Sequence, residues 1–201
     1  MTHDSPTTDP RATAGQTRDV LRSLADVLDA IPAEAADRPT PCAEFTVADL
    51  RGHIVGWATA FGAGFADPDG QAPDADAVTV DGTGGDQLRS AADQLVAGIA
   101  DGGAERDLVL AGGMAMPGDM ALSMVLWEYQ VHGWDIATAT GKNWSPAEGP
   151  LENSIGFADQ MLTPDFQGEG KAFAPRVEVP ADAPALDRLV AMSGRDPEWN
   201  A

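Results

Sequence analysis

Glu128, His132 and Asp135 stand at i, i+4 and i+7 within Trp127-Glu128-Tyr129-Gln130-Val131-His132-Gly133-Trp134-Asp135. On an α-helix all three side chains project from one face. A carboxylate and an imidazole four residues apart can chelate one cation from a single helix. The chain has 3 histidines. His3 lies in a polar N-terminal tail, which leaves His53 as the second imidazole inside a segment with core-like patterning. His53, Glu128 and His132 together would form a two-histidine, one-carboxylate site, whose three protein ligands leave a coordination position for water or substrate. Imidazole and carboxylate suit Zn²⁺, Ni²⁺, Fe²⁺ and Mn²⁺ alike, so ligand type does not choose the metal. Asp135 is either a fourth ligand or an acceptor that orients an imidazole from behind. Plainer readings stand beside these. A Glu–His pair at this spacing also forms an ordinary ion pair on a helix surface, and a single inward histidine can be satisfied within a core.

The elements that must position these residues read as helices. Residues 1–14 are an expected disordered tail, rich in Pro, Thr and Asp. Val20, Leu21, Leu24, Val27, Leu28 and Ile31 recur at helical intervals and stop at Pro32. Thr46 and Asp49 have the form of a capping box, opening a second helix whose stripe is Leu50, Ile54, Trp57, Phe61 and Phe65. His53 lies on that stripe. A third helix starts near Thr83–Asp86, carries Leu88, Leu95 and Ile99, and ends at Gly102-Gly103. Leu108-Val109-Leu110 reads as a short extended piece. Pro117-Gly118-Asp119 is a turn with Asp119 as cap for a fourth helix, about Met120–Thr140, closed by Gly141. Its apolar stripe is Leu122, Val125, Leu126, Tyr129 and Ile136, with the Glu128/His132/Asp135 face beside it. A fifth helix is expected near Leu151–Leu162, a strand at Val177–Val179, and a last helix over Ala185–Met192. Period-2 alternation is almost absent, so the fold class is all-α, a four-helix bundle with long crossover loops. The expected organisation is a tail over 1–14, a metal-binding bundle over 15–165 and a C-terminal extension over 166–201 that packs on it.

Composition narrows the function further. The chain has 201 residues and is 43% hydrophobic, enough for a core in one domain of ordinary size. With 32 acidic and 12 basic residues the formal charge is −20, which excludes nucleic acid and anionic membrane surfaces as partners. No stretch approaches the roughly 20 apolar residues of a membrane span, and no secretory signal follows the start, so the expected location is cytoplasmic. The single cysteine, Cys42, rules out an internal disulfide and reads as a small structural hydrophobe. Arg51, Arg89 and Arg106 are candidates for contacting an anionic substrate, although a solvated surface position is the favoured reading for each. Trp57, Trp127 and Trp134 read as core and pocket wall. The Gly-rich stretches lack a following Lys-Ser/Thr and make no phosphate loop.

Thr40-Pro41-Cys42, Phe45-Thr46-Val47 and Asp49-Leu50, followed by His53 and Gly56, resemble the opening motif of an actinobacterial family. Glu128, Val131-His132-Gly133-Trp134-Asp135, Ala137 and Thr140-Gly141 resemble its second motif. The family is that of the mycothiol-dependent maleylpyruvate isomerase-like proteins, within the DinB-like metal-binding four-helix bundles. Leu186-Asp187-Arg188-Leu189 and Ser193-Gly194-Arg195-Asp196-Pro197 resemble the tail of one uncharacterised metal-binding subgroup. The resemblance spans roughly residues 15–198 and implies a DinB-like bundle with a divalent metal, usually zinc, on His53, Glu128 and His132. It also implies a small-molecule thiol of the mycothiol type and an electrophilic substrate. A metal deprotonates a coordinated thiol outright, so such a site generates a nucleophile at neutral pH. The isomerases of the family carry a further C-terminal domain where this chain has a short tail. The metal site is therefore the firmer expectation, and the isomerase reaction the weaker. The function expected is that of a metal-dependent thiol transferase or isomerase; the alternative is a non-catalytic metal- or small-ligand-binding bundle. A homodimer stays open.

Overall fold

The computed structural model describes residues 9–171 and 173–200. His3 and the predicted tail up to residue 8 lie outside them. The remainder of that predicted tail is helical. Helix α1 (Pro10–Asp29) begins earlier than its apolar period, because Asp9 caps it by accepting from the Arg11 N–H, and Pro10 sits at its first position. Proline costs nothing there, since that N–H would have no partner within the helix. Helix α2 (Val47–Ala66) opens on the expected capping box: Thr46 Oγ1 accepts from the Asp49 N–H at 3.2 Å, and Asp49 accepts from the Thr46 N–H at 3.0 Å.

Helix α3 (Gly85–Ala100) follows an Asp/Pro/Gly-rich loop. Strands β1 (Asp107–Val109) and β2 (Ala115–Pro117) then form an antiparallel hairpin, with Leu108 opposite Met116. Helix α4 (Gly118–Thr140) starts two residues before the expected position, with Pro117 as its N-cap, so Asp119 lies inside the first turn. It ends at Gly141, whose φ of 66° is the left-handed conformation that glycine adopts without strain. Helices α5 (Glu148–Met161) and α6 (Ala185–Met192) complete the chain. The strand expected at Val177–Val179 is not formed: those residues have no regular ladder partner and run as irregular backbone.

Each of α1 and α2 packs against both α3 and α4, so α1 and α2 are diagonal and joined by a long crossover. The interior is built from Leu24, Leu28, Leu50, Ile54, Leu88, Leu122 and their neighbours, all fully buried. The chain crossing is tight where α2 meets α3. A Cβ on Gly98 would fall 2.2 Å from the Phe65 carbonyl oxygen, and one on Gly62 would fall 2.7 Å from that of Ala91. Helix α4 departs from the one-sided stripe read in its sequence, being buried almost all round. Its outer side, Trp127 and Val131, packs under a second apolar cluster made by Leu151, Ala158, Leu162 and Leu189 from the C-terminal part of the chain.

Candidate functional site

His53 projects from the second turn of α2, and Glu128 and His132 from the middle of α4, toward the same place. The two imidazole rings lie 5.0 Å apart in an edge-on arrangement. His132 Nε2 is 3.2 Å from Glu128 Oε2, and its Nδ1 is 3.1 Å from Asp135 Oδ2. Each pairing follows from helical spacing, four residues in one direction and three in the other. Phe45 lies against one side of the His53 ring, with centroids 5.1 Å apart. His132 and Asp135 are buried, whereas the Glu128 side chain is 28% exposed and opens on a cavity.

The electrostatics follow from this burial. Desolvation and the neighbouring His132 push the His53 pKa down to about 4, so its ring is neutral and carries a free lone pair. Burial acts on His132 in the same direction, but hydrogen bonds to Asp135 and Glu128 outweigh it and raise the pKa to about 9. The resulting imidazolium donates from both ring nitrogens. Burial favours the neutral acids at Glu128 and Asp135. The charge and hydrogen bonds of His132, with Arg195 nearby, nevertheless hold both carboxyls below their ordinary range.

Arg195, between α6 and the chain end, is the residue that sequence reasoning missed. Its guanidinium donates to both Asp135 oxygens, from NH2 at 3.1 Å and from Nε at 3.4 Å, and its side chain is only 13% exposed. The one signal for it was its place in the Ser193–Pro197 motif. By contrast, none of the three arginines singled out lines the cavity. Arg89 pairs with Asp26, Asp29 and Asp86 on the surface, and Arg106 donates to the carbonyls of Phe65 and Asp101. Arg51 is half-buried elsewhere.

Cys42 also departs from the purely structural reading. Its sulfur, an imidazole nitrogen of His132 and a carboxylate oxygen of Asp135 lie within 4.8 Å of one another. Among the described residues this is the one trio of His, Cys, Asp or Glu atoms that close. His132 is thus common to two groups, His53 with Glu128 and Cys42 with Asp135; the ligand atoms of the second close to within 4.8 Å with His132, and those of the first do not. Asp135 already accepts from His132 Nδ1 and Arg195, whereas His53 is neutral and Glu128 faces the cavity. Ligands about 2.1 Å from a tetrahedral ion stand about 3.4 Å apart, and both the 3.2 Å between His132 Nε2 and Glu128 Oε2 and the 3.1 Å between its Nδ1 and Asp135 Oδ2 lie near that spacing. Burial raises the Cys42 thiol pKa despite Arg195, which disfavours the thiolate a metal needs.

The cavity beside Glu128 holds about 210 Å³. Trp57 and Phe61 wall it from α2, Met124 and Tyr129 from α4, and Leu110, Met114 and Met116 from the hairpin. A larger hollow of about 540 Å³ lies between α1 and the loop before α5, but no histidine or cysteine lines it. Trp127 and Trp134 are buried away from the cavity; Trp127 stacks on Phe173 and donates to Ser193 Oγ. Among the described residues no helix is long and apolar enough to cross a membrane.

A family model, the mycothiol maleylpyruvate isomerase N-terminal domain, matches residues 17–137, more than half of the chain. Two uncharacterised proteins of Mycobacterium tuberculosis, from the CDC 1551 / Oshkosh and ATCC 25618 / H37Rv strains, are each 28% identical to it over 182 residues. The alignments cover 86% of this chain and 92% of each relative, so the likeness runs past residue 137. No solved structure matches.

Proposed function

The chain belongs to the mycothiol maleylpyruvate isomerase N-terminal domain family, and we propose that it is a divalent-metal-binding, thiol-dependent transferase or isomerase. In this reading zinc is the metal, His53, Glu128 and His132 are its ligands, and Asp135 orients His132. The observation that carries it is the convergence of a neutral His53 from α2 with Glu128 and His132 from α4 at the edge of one cavity. A bound metal supplies acidity, lowering the pKa of a coordinated thiol so that a nucleophile exists at neutral pH. The protein's own groups do the rest. Asp135 holds the His132 ring by its Nδ1, Arg195 holds Asp135, and Trp57, Phe61 and the hairpin methionines exclude water from the reacting side. A low-molecular-weight thiol of the mycothiol type and an electrophile are the proposed partners, in the cytoplasm.

Metal analysis of protein purified without a nickel column tests the reading. About one metal per chain is expected, lost in His53→Ala and His132→Ala; a fully folded wild type that takes up no metal would sink it. A screen of thiols, mycothiol included, against electrophiles then separates enzyme from binding protein. No turnover with the metal in place would favour the non-catalytic bundle.

A second reading places the cation on Cys42, His132 and Asp135, on the strength of their mutual closeness. Cobalt substitution distinguishes the two. A thiolate-to-cobalt charge-transfer band that disappears in Cys42→Ser would support the cysteine seat. Loss of cobalt in Glu128→Gln with no such band would support the His53 seat.

A further inference from the structure

The cavity beside the candidate metal ligands is lined by residues from three elements, and none of them is Lys or Arg. Its formal charges are the Glu128 carboxylate and, before a metal is bound, the His132 imidazolium that Glu128 and Asp135 flank. Arg195 is engaged with both oxygens of Asp135 behind His132. The remaining wall is aromatic and thioether: Trp57, Phe61, Met114, Met116 and Met124, with Leu110. Methionine adapts its shape and offers polarisable contact without charge. Met114 is 63% exposed at the mouth, an unusual place for a large apolar side chain in a protein of charge −20. An entering carboxylate would lose its hydration, meet Glu128 and find as side-chain cation His132, which is already paired with Glu128 and Asp135; that is costly. The charge of a divalent ion offers little relief. Glu128 and a thiolate together carry the two negative charges that balance it. The volume, about 210 Å³, is below the roughly 300 Å³ at which pockets for drug-sized ligands begin.

We propose that the acceptor taken by this cavity is a small, uncharged, apolar electrophile, and that the Met114–Met116 hairpin wall selects it against carboxylate-bearing molecules. This rests on reading the cavity as the acceptor side of the metal and thiol site.

The test uses the full chain, as purified with its metal and saturated with mycothiol, and again after chelator treatment. Two probes of similar shape and opposite polarity at one group, para-fluoroacetophenone and para-fluorobenzoate, are used, and ligand-observed fluorine NMR follows both. The ketone is expected to bind saturably and about tenfold tighter than the benzoate in both preparations. Met114→Lys, a change at an exposed position that a circular dichroism melt verifies as folded, is expected to cut that preference to about threefold or less. Equal or tighter binding of the benzoate by the wild type overturns the proposal, as does failure of the ketone to bind. Metal content measured on the same samples separates the two ideas. A protein that takes up no metal overturns the thiol-site reading, whereas a benzoate preference in metal-loaded protein overturns this proposal alone.

Discussion

His132 sits between two carboxylates, and that placement makes its proton the competitor of any cation on Nε2. Its pKa of about 9 means that metal uptake at neutral pH releases a proton. Apparent metal affinity should therefore rise about tenfold per pH unit below pH 9. Competition with a chromophoric chelator measures this, and a flat profile between about pH 6 and 8 would contradict the assignment. The same shifts govern the stability of the metal-free protein. His132 is raised from 6.5 to about 9, so its contribution is complete below pH 6.5 and is lost as pH rises toward 9. His53 is lowered from 6.5 to about 4, so it opposes folding as pH falls from 6.5 toward 4. Stability should peak near pH 6.5. His132→Gln should flatten the alkaline limb and His53→Gln the acid limb in melting curves of chelator-treated protein.

The helices deliver these residues through local devices that can be broken one at a time. Thr46→Ala removes half of the capping box of α2, costing about 1 kcal/mol. Because His53 stands in the second turn after that cap, metal affinity should fall together with the melting temperature. The crossing of α2 and α3 depends on close backbone approach. Gly98→Ala would drive a Cβ to 2.2 Å from the Phe65 carbonyl oxygen, a backbone atom that also accepts from Arg106 at 2.7 Å and cannot swing aside. A cost of about 1–3 kcal/mol is expected, read by urea denaturation. Near-wild-type stability of that variant would show that the crossing is looser than described. Caps and apolar periods are properties of neighbouring residues, which is why α2 and α6 were predicted closely. The start of α1 was missed for the same reason: its first turn carries the cap signal of Asp9-Pro10 but little of the apolar period.

At the scale of the whole molecule, α5 and α6 cover Trp127 and Val131, and the segment after α6 brings Arg195 onto the fully buried Asp135. Arg195→Met would leave that carboxylate with His132 as its remaining partner, a loss of about 3 kcal/mol or more. Lysine at the same position should restore only part of it, since one ammonium cannot reach both oxygens as the guanidinium does. Urea melts of the three proteins check both statements. The sequence by itself determined the helices, the capping box of α2, and the face that holds Glu128, His132 and Asp135, because each rests on spacing within a few residues. It also put His53 on an inward stripe. Only the tertiary structure decided which inward faces meet, and with that the 5.0 Å approach of the two imidazoles, the seating of Cys42 beside Asp135, and the apolar wall of hairpin methionines. Arg195 and Asp135 are 60 residues apart, and no periodicity links them. Their pairing exists because α5 and α6 bury the outer side of α4, a choice made by the packing of whole elements and not by local pattern.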